Sequence, residues 1–203
     1  DTMDTFVNSS WYFLRYCDPK NSKEIFDKNK AKYWCPVDFY IGGREHACMH
    51  LIYARFYTKF LRDLKLLNFD EPIIKQFSQG MVHSEDGRKM SKSYGNVIDP
   101  LDIIKDYSAD ALRLFLVSVA NPDKDFNWDI RGLESNHKFI SRIYDKFDNL
   151  KIGKSSEKTE HKINNAIKKI TTYLENIKYN LAIIEIKKLF DSLEEEISKK
   201  DFE

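Results

Sequence analysis

Lys89 and Lys92 stand three residues apart in the polar loop GRKMSKSYGN, Gly87 to Asn96, with Ser91 and Ser93 interleaved. Two flexible ammonium groups and two hydroxyls in one short loop can converge on a single anion. Lysine suits a triphosphate whose charge moves during reaction, because it is a mobile point charge. Charge alone would leave this a solvated turn. A second group is GGREHACMH, Gly42 to His50. Gly42 and Gly43 let a ribose approach the backbone, and the N-terminus of the helix expected after them favours negative charge. His46 and His50, four apart, would share one face of that helix, continued by Tyr53 and Tyr57. Such a pair is often a satisfied core feature. A zinc site is disfavoured, because Glu45 precedes the first histidine instead of following it and no third ligand stands nearby, so no metal ligand is assigned. The third group is MDTFVNSSWYFLRY, Met3 to Tyr16, an aromatic amphipathic segment that by composition fits a core better than a pocket.

These residues need elements to hold them. The run YWCPVDFYIGG, Tyr33 to Gly43, is aromatic and β-branched and stops at a glycine pair, as a buried strand entering a tight turn would. From Glu45 to about Leu64, Ala47, Leu51, Ala54, Thr58 and Leu61 recur at helical spacing, with Arg55, Lys59 and Arg62 on another face. FSQGMV, Phe77 to Val82, reads as the next strand, reached past Glu71 and Pro72. Strand, helix and strand in that order imply an α/β fold with a parallel sheet. Asp99 can cap a helix that has Pro100 at its first position, and Ser108 can cap the next, ADALRLFLVSVA. Beyond Asn121 and Pro122 come two or three helical runs, interrupted by the polar stretch GKSSEKTE, Gly153 to Glu160. From about Leu133 glycine is nearly absent and Ile, Leu and Lys dominate, which fits an all-α helical bundle. The apolar run Asn180 to Leu193 calls for more neighbours than the chain supplies.

The 203 residues carry 33 Lys plus Arg against 32 Asp plus Glu, a formal net charge of +1, so no global basic excess announces nucleic acid and any phosphate must be met locally. With 42% hydrophobic and 14% aromatic residues the chain has the material for a packed interior. Cys17, Cys35 and Cys48 are odd in number and form no CxxC pair, which argues against a disulfide framework and for a reducing, cytosolic setting. No apolar run approaches the ~20 residues of a membrane span, and the first residues lack signal-peptide character.

KMSKS after a strand and before Gly95 and Asn96 matches the second ATP motif of class I aminoacyl-tRNA synthetases. DTFVNSSWYFLRYCDP, PVDFYIGGREHACMHLIYARFYTKFLRDL, QGMV and KMSKSYGNVIDP, in this order, resemble the leucyl-tRNA synthetase family over roughly residues 1–150. The resemblance implies the second half of a Rossmann-like catalytic domain and its stem-contact region over 1–132, and the start of an anticodon-binding-type helical bundle over 133–203. Phe6, Ser9 and Tyr12 would line the leucine pocket with His46 and His50. Gly42, Gly43 and Glu45 would hold the adenosine ribose, and Met81 and Val82 would offer backbone to adenine. Lys89, Ser91, Lys92 and Ser93 would meet the ATP phosphates, the two lysines stabilising the departing pyrophosphate. The implied reaction is activation of leucine by ATP and Mg²⁺ to leucyl-adenylate, then transfer to tRNA(Leu), in the cytoplasm and without a membrane.

The family's HIGH-like motif and its editing domain have no counterpart in these 203 residues. The expectation is therefore a fragment, excised or one half of a split enzyme, that needs the N-terminal portion in cis or as a separate subunit and is inactive alone. Isoleucyl, valyl and methionyl enzymes share the lysine loop, and SSWYFLRY decides for leucine. A non-catalytic RNA-binding paralogue is the alternative of another class, and the intact glycines, Glu45 and lysines argue against it. A generic ATP-binding enzyme lacks a Walker loop to support it.

Overall fold

Short polar residues open most helices, because the first turn of a helix leaves N–H groups with no internal partner. The computed structural model describes residues 2–202. Asp4 caps α1 (Thr5–Ser9) through the Phe6 N–H, α2 (Tyr12–Cys17) follows, and Asp27 caps α3 (Lys28–Trp34) through the N–H groups of Asn29 and Lys30. The chain divides between Gly80 and Met81 into two units.

In the first unit β1 (Val37–Gly43), α4 (His50–Asp63) and β2 (Ile73–Gln79) form a crossover, with the strands parallel and in register from Val37 opposite Ile73 to Gly43 opposite Gln79. This is the expected α/β arrangement. Its core gathers Phe13 and Leu14 from α2, Ala31 from α3, Ala54 and Leu61 from α4, and Phe26, Cys35 and Leu67 from loops. Glu71 accepts from Arg55 at 2.7 and 2.8 Å and from Lys59 at 3.0 Å, tying α4 to the entry of β2.

Three expectations are corrected here. The strand starts at Val37 rather than Tyr33, because Tyr33 and Trp34 complete α3. It is also not buried, since Ile41 is 52% exposed. The helix expected from Glu45 is broken: Met49, at φ −124° and ψ −105°, leaves helical space, so Arg44–Cys48 wind as a 3₁₀ turn and α4 begins at His50. Ala54, Thr58 and Leu61 of the expected stripe are buried, while Ala47, on the 3₁₀ turn, is exposed. The third correction concerns FSQGMV, which is two strands, with Gly80 between the end of β2 and the start of β3 (Val82–His83).

In the second unit β3 pairs in parallel with β4 (Phe126–Asn127). The lysine loop leads to α5 (Pro100–Tyr107), where the Asp99 carboxylate accepts from the Leu101 N–H and Pro100 takes the first turn. Next comes α6 (Ala109–Ser118), capped by Ser108 through the Ala111 N–H; both caps are as the sequence implied. Ala111, Leu112 and Phe115 of α6 pack with Trp128 and with Leu133 of α7 (Ile130–Asn149). The short β5 (Lys151–Gly153), α8 (Glu157–Glu175), α9 (Tyr179–Ser192), β6 (Glu196–Ser198) and α10 (Lys199–Phe202) complete the unit, β5 and β6 pairing in parallel. The stretch expected as a polar separator is partly helical, because Ser156 caps α8 and Glu157 opens it. The expected functional boundary at 132/133 falls inside α7, whereas the two units divide at Gly80.

Candidate active site

The lysine loop is held from within by one amide. Asn96 accepts the Ser91 N–H at Oδ1 (2.8 Å) and donates from Nδ2 to Ser84 Oγ (3.0 Å) and to the Lys89 carbonyl (3.2 Å). Ser84 also anchors the preceding turn, accepting the Gly87 N–H at its carbonyl and donating its own N–H to the Arg88 carbonyl, both at 2.9 Å. Gly87 sits at φ +78° and Gly95 at +62°, where a side chain would be strained. The charges are sorted in this frame. Arg88 is matched by Asp86 at 2.6 Å, and the Ser84 hydroxyl, followed by Arg88, lowers the Asp86 carboxyl to about 2. Lys89 and Lys92 are exposed and, among the described residues, make no ion pair. Two unneutralised cations on a pinned loop can meet an anion. The Ser91 and Ser93 hydroxyls bond each other at 2.8 Å, and Ser91 accepts the Ser93 N–H. They shape the 3₁₀ turn Lys92–Tyr94 as well as facing outward.

In the first unit a cleft of about 260 Å³ is lined by Tyr40, Ile41, Gly42, Gly43, His46 and His50, with Leu51 and Gln76. A Cβ on Gly42 would meet nothing within 4 Å, so this chain's own packing does not demand the glycine. A Cβ on Gly43 would strike the Glu45 carboxylate, which lies against that backbone. Despite the break at Met49, His46 and His50 stay edge to face at 6.1 Å. The Tyr12 and Tyr40 hydroxyls are 2.7 Å apart, and Tyr40 Oη lies 2.9 Å from His50 Nε2. Burial, then the neighbouring His46, holds His50 below the ordinary histidine range, and burial followed by the Tyr12 bond raises Tyr40. Both groups are thus held toward their neutral forms. The Nδ1 atoms of His46 and His50 are buried without a partner.

Tyr40, a residue with no mark in the sequence, bonds both Tyr12 and His50, and His50 meets His46; Tyr12 reaches the cleft through Tyr40 and is not among its lining residues. Phe6 stacks on Tyr53 at 5.7 Å and the Ser9 hydroxyl donates to the Phe6 carbonyl, so neither lines the cleft directly. In the second unit the Met81 N–H donates to Asp125 at 2.8 Å and its carbonyl accepts from Phe126, while Val82 pairs with Phe126. The Met81 N–H is therefore already engaged. The roles of Asn96 and Ser84 are not signalled in the sequence either, because they depend on how the loop folds back on itself.

A family model for the class I tRNA synthetases (I, L, M and V) matches residues 1–129. The chain is 46% identical over 207 residues to the leucine–tRNA ligase of Thermotoga petrophila, covering 95% of this chain and 25% of that one. It is 58% identical over 148 residues to the leucine–tRNA ligase of Helicobacter pylori strain J99, covering 72% and 18%. Among solved structures, it resembles the LeuRS of Agrobacterium radiobacter K84, determined as a ternary complex with tRNA and LeuAMS, at a TM-score of 0.85 and 38% identity over 94% of this chain and 27% of that one. The methionyl-tRNA synthetase of Mycobacterium tuberculosis, determined with methionyl-adenylate, gives a TM-score of 0.64 over 92% and 38%, and at 18% identity the likeness is one of fold. The chain spans about a quarter or less of the length of these curated relatives.

Proposed function

We propose, from the premise that the chain belongs to the class I tRNA synthetases and that its relatives among them are leucine–tRNA ligases, that it supplies the lysine-loop half of a leucine-activating site. The activity belongs to an enzyme of the relatives' size, in which the N-terminal portion joins this chain in cis or as a separate subunit. The reaction joins leucine to ATP as leucyl-adenylate, releasing pyrophosphate, and then passes leucine to the terminal adenosine of tRNA(Leu). The wall of His46, His50, Tyr40 and Tyr12 suits an apolar side chain, because burial holds His50 and Tyr40 toward their neutral forms. Phe6 and Ser9 belong to the same pocket by the family resemblance. Gly42, Gly43 and Glu45 take the ribose, and Val82 with the remaining lone pair of the Met81 carbonyl takes adenine. Mg²⁺ would arrive bound to the phosphates of the nucleotide.

The observation that carries this reading is the pinned loop with Lys89 and Lys92 unneutralised. An ammonium that meets charge developing on a departing pyrophosphate acts mainly in the transition state, so its loss appears in turnover rather than in substrate binding. Lys92→Ala in the full-length synthetase is expected to lower leucine-dependent ATP–pyrophosphate exchange by roughly 100-fold with leucine affinity little changed. Lys89→Ala is milder, since the neighbouring cation partly substitutes. An unchanged exchange rate in Lys92→Ala overturns the phosphate role. The functional partition is 1–132 catalytic and 133–203 tRNA-facing bundle, and the setting is the cytoplasm; among the described residues no helix is long and apolar enough to cross a membrane.

A further inference from the structure

Cys17 ends α2 and Cys35 directly follows α3, and the fold brings their sulfurs to 3.7 Å. Neither thiol takes part in the proposed reaction. Their settings differ. Cys35 is 8% exposed within the core of Phe13, Leu14 and Ala31, whereas Cys17 is half-buried and its thiol donates to the Phe13 carbonyl at 3.4 Å. Cys48, the remaining cysteine, is exposed on the 3₁₀ turn after β1. A disulfide has its sulfurs at about 2.05 Å, so closure needs roughly 1.7 Å of approach, under about 1 Å from each side chain by rotation about χ1.

We infer that Cys17 and Cys35 form a redox modification site, a reversible disulfide that joins α2 to the segment entering β1 when the chain meets a hydroperoxide. The Cys17 sulfur, the reachable one, attacks the distal peroxide oxygen. The O–O bond breaks, an alcohol leaves, and Cys17 becomes a sulfenic acid. The Cys35 sulfur then attacks the Cys17 sulfur: the S–S bond forms, the S–O bond breaks, and hydroxide leaves as water with the Cys35 proton. Two thiols and one hydroperoxide thus give one disulfide, one alcohol and one water, with two electrons passing from sulfur to oxygen. Burial, and then the adjacent Cys17 sulfur, push the Cys35 thiol up to about 12, so Cys35 is not the thiol that meets the peroxide first; its part rests on lying 3.7 Å from Cys17.

The bridge would join the two elements that carry Tyr12 and Tyr40, whose hydroxyls are bonded in the cleft. That link to leucine binding rests on the proposed function; the disulfide itself does not.

The test uses the reduced 203-residue chain, native and urea-unfolded, exposed to hydrogen peroxide, alkylated and mapped without reductant. The native chain is expected to yield a Cys17–Cys35 cross-linked peptide lighter by two hydrogens, reversed by dithiothreitol and unaffected by Cys48→Ser. It should form at least about tenfold faster than in the unfolded chain, since the fold supplies the proximity. Cys35→Ser should leave a dimedone-reactive sulfenic acid on Cys17. Oxidation of Cys48 with Cys17 and Cys35 still alkylatable, or equal rates in native and unfolded chains, overturns the proposal. Because the readout is thiol mapping, neither result bears on the synthetase reading.

Discussion

Asn96 shows how one uncharged side chain can set the geometry of two charged ones. Its amide spans Ser84, Lys89 and Ser91, so removing it frees the loop at three points while leaving Lys89 and Lys92 in the sequence. In the full-length enzyme, Asn96→Ala is expected to lower the pyrophosphate-exchange rate by about tenfold, with the KM for leucine unchanged, because mispositioned cations are lost to the transition state first. Asn96→Asp keeps the acceptor for Ser91 and loses both donations, so it should fall between. A parallel rise in the KM for leucine would point to general loosening instead. The proposed leucine pocket has its own test in Tyr12→Phe, which deletes only the hydroxyl bonded to Tyr40. Discrimination among leucine, isoleucine, valine and methionine should shift by up to about tenfold while the KM for ATP holds; equal effects on every substrate would make Tyr12 a packing residue. Lys89, Lys92, His46 and His50 stand out in the sequence by type and spacing, but those alone fit a solvated turn and a core pair, and the family resemblance is what gives them their proposed roles. Asn96 and Tyr40 do not stand out: nothing in a sequence says which way a loop amide turns, or which face of a pleated strand looks into a cleft.

At the scale of elements, local signals read well and tertiary ones did not. Asp99 before Pro100, and Ser108 before its helix, act within one turn, so the sequence carries them whole. The break at Met49 has no glycine or proline to announce it, and the helical spacing from Ala47 to Leu61 runs straight across it. The ends of β1 likewise depend on where α3 stops. Glu71 offers a measurable contribution at this scale. Hydrogen bonds from Arg55, then Lys59, hold its carboxyl at about 2 against an ordinary 4.5. A lowered carboxylate contributes stability that is present above about 4.5 and is lost as pH falls toward 2. The group is partly exposed, so the effect is small: Glu71→Gln should lower the Tm by ~1–2 °C at neutral pH. The gap between Glu71→Gln and the parent chain should close as pH falls through that window. A gap that stays constant with pH would show that the ties from Arg55 and Lys59 do not depend on the carboxylate's charge.

On the scale of the whole chain, the sequence placed a boundary at 132/133 because glycine thins out there and Ile, Leu and Lys take over. That change is real, but composition does not report which side chains share a core. Leu133, just past the expected boundary, is fully buried with Ala111, Leu112, Phe115 and Trp128, all of which precede it. The core formed by Phe13, Leu14, Phe26, Ala54 and Leu61 lies wholly before Gly80. Residues 81–203 therefore own a complete aromatic cluster, Phe115 edge to face with Trp128 at 5.1 Å, and a second contact in the helical part, Phe139 with Phe190 at 5.3 Å. Their helices α5, α6, α7 and α8 are capped by Asp99, Ser108, Asp129 and Ser156 from within the same segment. A segment with its own buried cluster and its own caps on four helices has the basis for independent folding. Expressed alone, residues 81–203 should give a helical circular-dichroism spectrum and one cooperative thermal transition. Phe115→Ala should destabilise that fold by about 3–5 kcal/mol, the cost of an emptied aromatic site, and so abolish or sharply lower the transition. A gradual melt of the parent segment, insensitive to Phe115→Ala, would mean that its core depends on residues before Gly80.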